Sequence, residues 1–225
     1  MLIGGFQKMT LLDFPGRIAC ILFTHGCNFR CPYCHNAPLV TGGYEGIDEA
    51  EILAFLKKRH GILDGVCISG GEPLLQKDLP SLMYKIKQLG YDIKLDTNGS
   101  FPQALDEVIT SGLCDYVAMD IKNSREKYKL TVNADVDMAS IERSAEILLS
   151  GRVDYEFRTT VTRELHTEDD MRRIGEWIRG ARKYFLQGFI DSGDLVGAGM
   201  SAYFPEEMKR MCEVLREYVP NVSLR

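Results

Sequence analysis

Apolar and polar residues alternate along the chain in two repeating patterns. Short apolar runs are followed by stretches in which apolar residues recur at the spacing of a helix, and this order is typical of β-α units around a parallel sheet. The sequence holds six such units. Their predicted strands are residues 18–24, 65–69, 92–97, 116–122, 153–161 and 184–190.

Helical periodicity is clearest in two of the intervening segments. In 76–89 and in 167–181, apolar residues recur on one helical face, which predicts helices that pack against the sheet. The other predicted helices are 48–58, 102–111, 138–149 and 205–218.

The length of 225 residues favours a single domain. A complete eight-unit barrel takes about 250 residues, so six units of the same average length need roughly 190 residues. We therefore expect an α/β fold, a partial (β/α)6 TIM-like barrel with an open lateral side. Residues 1–225 would form one domain, in which segment 1–16 packs on the barrel and a helix at about 205–219 closes the chain.

Three connections are long or rich in glycine: 41–46, 123–137 and 191–202. Long loops in compact domains often serve as lids or binding loops. An ordinary solvated loop is the other interpretation of each, and the sequence leaves both open.

The composition is that of a soluble protein with a substantial core, since 45% of the residues are hydrophobic and 26% are charged. The net charge of -5 argues against a protein that coats nucleic acid, because such proteins carry a clustered basic surface. No export signal is visible, and no stretch approaches the ~18 apolar residues of a membrane span. We expect a cytoplasmic protein without membrane or nucleic-acid partners.

Three of the seven cysteines lie close together after the first predicted strand: Cys27, Cys31 and Cys34. Without an export signal, cysteines are expected as thiols or metal ligands rather than as disulfides. Iron–sulfur clusters are normally held by four thiolates, and the Cys-x3-Cys-x2-Cys spacing differs from the ferredoxin spacings. Three thiolates without an obvious fourth predict a [4Fe-4S] cluster with one iron open to a ligand.

An open iron can be chelated by a substrate, as a catalytic zinc keeps one position for water. The amino and carboxylate groups of S-adenosylmethionine (SAM) are suited to this. One electron would then cleave the S–C5′ bond and give a 5′-deoxyadenosyl radical that abstracts hydrogen.

Other interpretations of the cysteines stay open. A Cys3His zinc site would use His25 or His35, although His35 adjoins Cys34 and would strain to reach the same ion. The three cysteines could also be unrelated buried residues. Four more lie in or beside apolar segments and are predicted core residues: Cys20, Cys67, Cys114 and Cys212. His60 and His166 lie in polar contexts and are predicted at the surface.

A glycine-rich turn follows the second predicted strand, at the end where the loops of barrels build active sites. It reads Gly70, Gly71, Glu72, Pro73. The glycines let the backbone approach a ligand closely, and Glu72 can accept a hydrogen bond from an ammonium group.

Polar residues also lie at the ends of two later strands and within two more. Asp96, Thr97 and Asn98 end the third predicted strand, and Asp120 and Lys122 end the fourth. Arg158 lies inside the fifth predicted strand, and Gln187 lies on the sixth. Asp and Asn are common turn residues, so each can be only a cap. Arg158 is costly to bury without an acceptor, which is either a bound carboxylate or ribose, or else Glu156 or Asp120.

The cysteine motif, with Tyr33 inside it and the 70–73 turn downstream, resembles the radical SAM superfamily. Three further segments are similar to the activating proteins of anaerobic ribonucleoside-triphosphate reductase, which are related to the pyruvate formate-lyase activating enzymes. These segments are Gly5-Phe6-Gln7, Asp13-Phe14-Pro15-Gly16 and Cys34-His35-Asn36. The chain lacks the additional ferredoxin-like cysteines of longer members, which fits one cluster.

The resemblance implies a role for each candidate residue. The cluster would be held at the catalytic centre by Cys27, Cys31 and Cys34, with Tyr33 near the adenine. The methionyl amino group would meet Gly70, Gly71 and Glu72. A polar site near the SAM carboxylate, able to hold a monovalent cation, would be formed by Asp96, Thr97 and Asp120, with Lys122 nearby. Further SAM contacts would be Asn98, Arg158 and Gln187.

The resemblance also implies the reaction. The enzyme would abstract hydrogen from a glycine Cα of a partner glycyl radical enzyme, anaerobic ribonucleoside-triphosphate reductase, whose loop would enter through the open side. A flavodoxin or ferredoxin-type protein would donate the electron under anaerobic conditions. Two alternatives stay open: a radical SAM enzyme acting on a small molecule such as a deazapurine precursor, and a non-catalytic zinc-binding module.

Overall fold

The computed structural model describes residues 2–42, 46–191 and 193–225. Within these ranges nine strands form one sheet, in the order β3-β1-β2-β4-β5-β6-β7-β8-β9. The strands are β1 (Leu2–Thr10), β2 (Ala19–Thr24), β3 (Ile47–Asp48), β4 (Gly65–Gly70), β5 (Asp92–Thr97), β6 (Tyr116–Asp120), β7 (Asp154–Val161), β8 (Tyr184–Gly188) and β9 (Val222–Leu224).

Eight α-helices are present in the described part of the chain. They are α1 (Ala37–Thr41), α2 (Glu49–Lys58), α3 (Leu79–Gln88), α4 (Pro102–Thr110), α5 (Tyr128–Val132), α6 (Met138–Leu149), α7 (Glu168–Trp177) and α8 (Pro205–Arg216). Single 3-10 turns cover Pro73–Leu75 and Arg125–Lys127. No helix in these ranges has the length and apolar character needed to cross a membrane.

The centre of the sheet is parallel. β2, β4, β5, β6, β7 and β8 pair in chain order, and β9 adds a parallel strand beside β8. β1 pairs with β2 in the antiparallel sense, and β3 pairs with β1 in the same way. Among the described residues β3 and β9 are the two edges, so the barrel is open. This confirms the predicted partial (β/α)6 barrel with an open side.

Three strands lie outside the six predicted units. β1 contains Gly4 and Gly5, which interrupt the alternation by which a strand is identified. β3 and β9 have only two and three residues, too few to show a period. All three extend the sheet at its edges, where neighbouring strands offer unpaired backbone groups.

Several predicted elements end at different residues. The helix predicted from residue 76 begins at Leu79, because Gln76 N–H still donates to the Pro73 carbonyl in the preceding 3-10 turn, at 3.0 Å. β6 ends at Asp120 rather than at residue 122, and β8 ends at Gly188 rather than at residue 190.

The two faces of the barrel strands differ in character. On β5, Ile93 and Leu95 are fully buried in the apolar core. Lys94 and Asp96 occupy the alternate positions and therefore point to the opposite, inward face. The interior of the barrel thus carries charged side chains toward the carboxyl ends of the strands.

Two of the predicted loops are only partly described. Residues 43–45 of the loop predicted at 41–46 lie outside the described residues, as does Ser192 of the loop predicted at 191–202. The loop predicted at 123–137 contains the Arg125–Lys127 turn and α5.

Candidate active site at the carboxyl ends of the strands

A cavity of about 400 Å³ lies where the carboxyl ends of the central strands meet residues 25–36, which we call the cysteine loop. Nearly every residue predicted from the sequence lines this cavity. They are Cys27, Cys31, Tyr33, Cys34, Gly70, Gly71, Asp96, Thr97, Asn98, Asp120, Lys122, Arg158 and Gln187. The predicted residue outside the lining is Glu72.

Cys27, Cys31 and Cys34 are free thiols in the cavity wall. Burial raises the pKa of the Cys31 thiol to about 12, and burial also raises the pKa of Cys27. A metal centre that binds here must therefore displace thiol protons. The four remaining cysteines are buried and do not line the cavity, which confirms their prediction as core residues.

Backbone hydrogen bonds from two neighbouring loops hold the cysteine loop. Arg30 N–H donates to the Val132 carbonyl at 2.8 Å, and Gly197 N–H donates to the Pro32 carbonyl at 2.9 Å. Val132 ends α5, between β6 and α6, and Gly197 lies between β8 and α8. Both loops therefore contact the candidate site and are more than solvated connections.

The glycine pair after β4 packs against the cysteine loop. Gly71 N–H donates to the Thr24 carbonyl at 3.0 Å, and Glu72 N–H donates to that of Gly26 at 2.8 Å. Gly70 has φ +110°, and a side chain at Gly71 would collide with the Gly26 carbonyl. The glycines are thus required for the contact between the two loops as well as for the open cavity wall.

Glu72 is fully buried behind the cavity wall. Its carboxylate accepts hydrogen bonds from Leu74 N–H at 3.0 Å, Thr97 Oγ1 at 2.8 Å and Asn98 N–H at 2.7 Å. Burial raises the pKa of Glu72 to about 7, although these hydrogen bonds act in the opposite direction. Glu72 therefore braces the turn after β4 against the end of β5.

Five charged side chains form an alternating row across the strand ends, which we call the charge ladder. Its members are Lys94, Asp96, Arg158, Asp120 and Lys122. Lys94 contacts Asp96, and Arg158 lies 3.2 Å from Asp96 and 2.9 Å from Asp120. Lys122 completes the row 2.9 Å from Asp120. Each carboxylate is thus held between two cations.

The electrostatics of the ladder keep its carboxylates ionised. Burial alone would raise the pKa of Asp120, but Arg158 and Lys122 outweigh burial and lower it to about 2. The pKa of Asp96 is also lowered, because Arg158 and Lys94 outweigh its burial.

The sequence offered Asp120 and Glu156 as salt-bridge partners of Arg158, and the structure shows which of the two it contacts. The ion pair with Asp120 confirms one of its two predicted salt-bridge partners. The other is wrong, because the Glu156 carboxylate lies 2.7 Å from the guanidinium of Arg225.

The monovalent cation predicted near Asp96, Thr97 and Asp120 does not fit this arrangement. Both oxygens of Asp96 and both oxygens of Asp120 already contact cationic side chains. A metal cation would have to share an oxygen with one of these side chains and be repelled by it.

Tyr33 has a buried hydroxyl with no hydrogen-bond partner among the described residues. Tyr33 lines the cavity and is nearly fully buried. Buried polar atoms are nearly always paired, so this hydroxyl fits a ligand or an ordered water at the site.

The geometry also bears on the zinc interpretation. His25 is exposed and outside the cavity lining, whereas His35 lines the cavity and stacks on Phe189 with 5.9 Å between ring centroids. No group of three or more His, Cys, Asp or Glu side chains in the described ranges is arranged to hold a metal ion. A single zinc would require its ligands about 2.3 Å from one point, whereas a cubane attaches its cysteines to separate irons. The three thiols therefore fit the cluster better.

Four lining residues had not been singled out from the sequence: Phe29, Val40, Ser69 and Thr160. Asp13, His35 and Asn36 also line the cavity; they had been named from the sequence, although not as contacts of the cluster or SAM. Ser69 donates to Asp96 at 3.1 Å, and Thr160 lies two residues after Arg158 on the inward face of β7. The two-residue period of a strand could have identified both.

His166 corrects a prediction, because it is fully buried rather than at the surface. Its Nδ1 accepts from Thr162 N–H at 3.2 Å, so Nε2 carries the proton and donates to the Lys122 carbonyl at 2.9 Å. The imidazole ties the loop after β7 to the end of β6, a pairing that spacing along the chain does not reveal. His60 is exposed, as predicted.

Comparisons with known proteins identify the family and relatives of this chain. The family model described as the Radical SAM superfamily matches residues 21–178. The Methanocaldococcus jannaschii protein MJ1227, assigned as a glycyl-radical enzyme activating enzyme, is 30% identical over 100% of this chain and 95% of its own length. The pyruvate formate-lyase-activating enzyme of Clostridium pasteurianum is 34% identical over 54% of this chain and 52% of its own length.

A solved structure shows the same fold. Streptococcus suis SuiB bound to S-adenosylmethionine superposes with a TM-score of 0.72 at 12% identity, over 91% of this chain and 51% of that chain. At this identity the likeness concerns the fold alone. The family match and the full-length similarity show that the chain belongs to the radical SAM superfamily and is an enzyme of the glycyl-radical-enzyme activating kind.

Proposed function

We propose that this enzyme uses a [4Fe-4S] cluster and SAM to generate a glycyl radical on anaerobic ribonucleoside-triphosphate reductase. One observation carries the proposal: three free thiols converge on a cavity that no other described cysteine lines, opposite a ladder of charged side chains. Similarity to activating enzymes supports the class of partner. The segments at 5–7 and 13–16 favour the reductase among such partners.

The cluster would be held by Cys27, Cys31 and Cys34, which leaves one iron for the amino and carboxylate groups of SAM. When bound, the cluster and SAM supply a 5′-deoxyadenosyl radical by one-electron cleavage, and this radical abstracts the glycine hydrogen. No side chain need act as an acid or a base.

The protein's own residues position the reactants. The charge ladder carries three cations for two carboxylates and so attracts the carboxylate end of SAM. Tyr33 and Gln187 line the cavity, where Tyr33 would lie near the adenine and Gln187 would be a further SAM contact. Holding reactants in place is the main contribution of a protein to radical chemistry of this kind.

A protein substrate fits the surface beside the cavity. The connection between β1 and β2 contributes Asp13 to the cavity lining. The neighbouring Leu11 and Leu12 are 67% and 87% exposed. Exposed apolar residues at the mouth of a site favour contact with another protein. The open side of the barrel would admit the glycine-bearing loop of the partner.

The electron donor and the compartment are further parts of the proposal. A flavodoxin or ferredoxin-type protein is proposed as the donor, because the cleavage consumes one electron of low potential. The proposed location is the cytoplasm.

The proposal is tested with anaerobically reconstituted protein. We expect about four iron and four sulfide per chain, and formation of 5′-deoxyadenosine from SAM with a strong reductant. Cys31→Ala should lose both, whereas Cys212→Ala, a buried cysteine away from the cavity, should retain both. Stoichiometric zinc without iron, or full SAM cleavage by Cys31→Ala, would refute the proposal.

A further inference from the structure

Lys94 is a buried cation inside the barrel. It lies in the middle of β5, and its side chain is 1% exposed. Its ammonium contacts Asp96 Oδ1, and Cys67 Sγ lies 3.8 Å away. Lysine is almost never buried this fully unless its charge is paired. Lys94 does not line the cavity, so its charge acts on a ligand through Asp96.

In the charge ladder, every carboxylate oxygen already contacts a cationic side chain, which would repel a metal cation. On Asp96, Oδ1 contacts Lys94, and Oδ2 lies 3.2 Å from Arg158. On Asp120, Oδ1 lies 2.9 Å from Arg158, and Oδ2 lies 2.9 Å from Lys122. Three cations and two carboxylates give the ladder a net charge of +1 (3 − 2).

The net charge of the charge ladder shows what Lys94 contributes to the binding of an anionic group. Without it, two cations would face two carboxylates, and an anionic ligand group would meet no net positive charge. A free potassium or sodium ion beside Asp96 would restore the balance, since carboxylate oxygens are ligands for such hard cations. Lys94 makes that ion unnecessary, because its ammonium already supplies a positive charge to Asp96.

We infer that the Lys94 ammonium serves as a built-in monovalent cation, so that this enzyme binds SAM independently of potassium and sodium. The inference rests on the proposed function, in which SAM binds in this cavity. Lys94 is a positioning residue, since it acts through Asp96 and touches neither cofactor.

The test measures SAM binding by isothermal titration calorimetry. Cluster-loaded protein is used without reductant, so that SAM is bound and not cleaved. The buffer contains tetramethylammonium as the only cation, and potassium or sodium replaces it at constant ionic strength. The variants are Lys94→Met and, as a control, Lys85→Met, which removes an exposed lysine that pairs with Glu49 on the outside of the barrel.

We expect the dissociation constant of the wild type to stay the same in all three buffers. Lys94→Met should bind SAM roughly tenfold more weakly in tetramethylammonium, and potassium or sodium should restore most of the affinity. Lys85→Met should behave like the wild type. Wild-type binding that tightens severalfold with potassium would overturn the inference, as would a Lys94→Met variant with wild-type affinity in every buffer.

Thermal unfolding without SAM gives an independent readout. Potassium should raise the melting temperature of Lys94→Met and leave that of the wild type unchanged, because only the variant has a vacant cation position. If Lys94→Met does not fold, Lys94→Gln is used in its place. Absence of SAM binding by the wild type in every buffer would refute the proposed function itself, whereas cation-dependent binding refutes only the role of Lys94.

Discussion

Asn98 connects the end of β5 to the cysteine loop. Its Nδ2 donates to Asn28 Oδ1 at 2.9 Å and lies 3.8 Å from Cys27 Sγ, within reach of an N–H···S hydrogen bond. Ser100 holds the Asn98 side-chain oxygen through two hydrogen bonds, at 2.6 and 2.9 Å. The amide is therefore oriented by its neighbours, and one of its N–H groups can donate to the sulfur of a cluster ligand.

We predict that Asn98→Leu makes the reduction potential of the cluster more negative. Hydrogen bonds to cysteine sulfur stabilise the reduced, more negatively charged cluster, and this variant removes one of them. A potentiometric titration followed by electron paramagnetic resonance measures the shift. Asn221→Leu serves as the control, because its side chain bonds to the Arg182 carbonyl. Equal potentials in Asn98→Leu and the wild type would exclude this role.

Glu72 leads to a prediction about pH. Burial raises its pKa from 4.5 to about 7, so the folded state binds this proton more tightly than the unfolded state does. Its contribution to the free energy of unfolding is fully present below about pH 4.5 and is lost as the pH rises through 7. As the pH rises from about 4.5 through 7, we expect the free energy of unfolding of the wild type to fall by up to about 3 kcal/mol relative to that of Glu72→Gln.

Urea denaturation at several pH values measures this difference. Glu51→Gln, at an exposed position on α2, should keep the pH dependence of the wild type. Identical pH dependence in the wild type and Glu72→Gln would show that the carboxyl of Glu72 does not titrate in this range.

At the scale of elements, the loop between β8 and α8 packs closely against the cysteine loop at Gly197. A Cβ on Gly197 would lie 2.7 Å from Pro32 Cβ and 2.9 Å from its Cα. Neither atom belongs to a flexible side-chain end, so a side chain at residue 197 must push the two loops apart.

We predict that Gly197→Val loosens the cysteine loop and makes the cluster more labile. Iron release to a chelator should be several times faster than in the wild type. Gly188→Val is the matched control, because a Cβ at that position meets no atom within 4 Å. Equal rates of iron release in the two variants would mean that this loop contact does not protect the cluster.

The elements with a clear period were predictable from the sequence. The six central strands were recognised because short segments rich in apolar residues alternate with segments of helical period. β1 was missed because Gly4 and Gly5 hide its alternation, and β9 because three residues show no period. The positions of Asp96 and Asp120 followed from the predicted strand ends, and that of Arg158 from its place inside a predicted strand. The burial of His166, by contrast, depends on pairing between distant loops.

At the scale of the whole molecule, β9 ties the end of the described chain to the barrel interior. Arg225 pairs with the fully buried Glu156 through two contacts, at 2.7 and 3.0 Å, and its guanidinium lies 3.5 Å from the centre of the Phe185 ring. Tyr116 donates a third hydrogen bond to Glu156 at 2.9 Å. The net charge inside the barrel therefore depends on Arg225, and no local sequence pattern predicts that this residue pairs with Glu156.

We predict that Arg225→Ala lowers the free energy of unfolding by about 2–3 kcal/mol, because it leaves the carboxylate of Glu156 buried without a cation. This value extends below the usual range of about 3–5 kcal/mol for a buried pair, since Arg225 is 34% exposed. In urea denaturation, the double variant Arg225→Ala/Glu156→Gln should recover part of this loss. A double variant less stable than Arg225→Ala would contradict an ion-pair role.

The transfer of hydrogen from the partner to SAM tests the central claim most directly. Anaerobic ribonucleoside-triphosphate reductase is produced with glycine deuterated at Cα and incubated with the cluster-loaded enzyme, SAM and reductant. The account predicts one deuterium in the 5′-deoxyadenosine, measured by mass spectrometry, together with a glycyl radical signal on the reductase. Unlabelled 5′-deoxyadenosine without a radical on the reductase would contradict it.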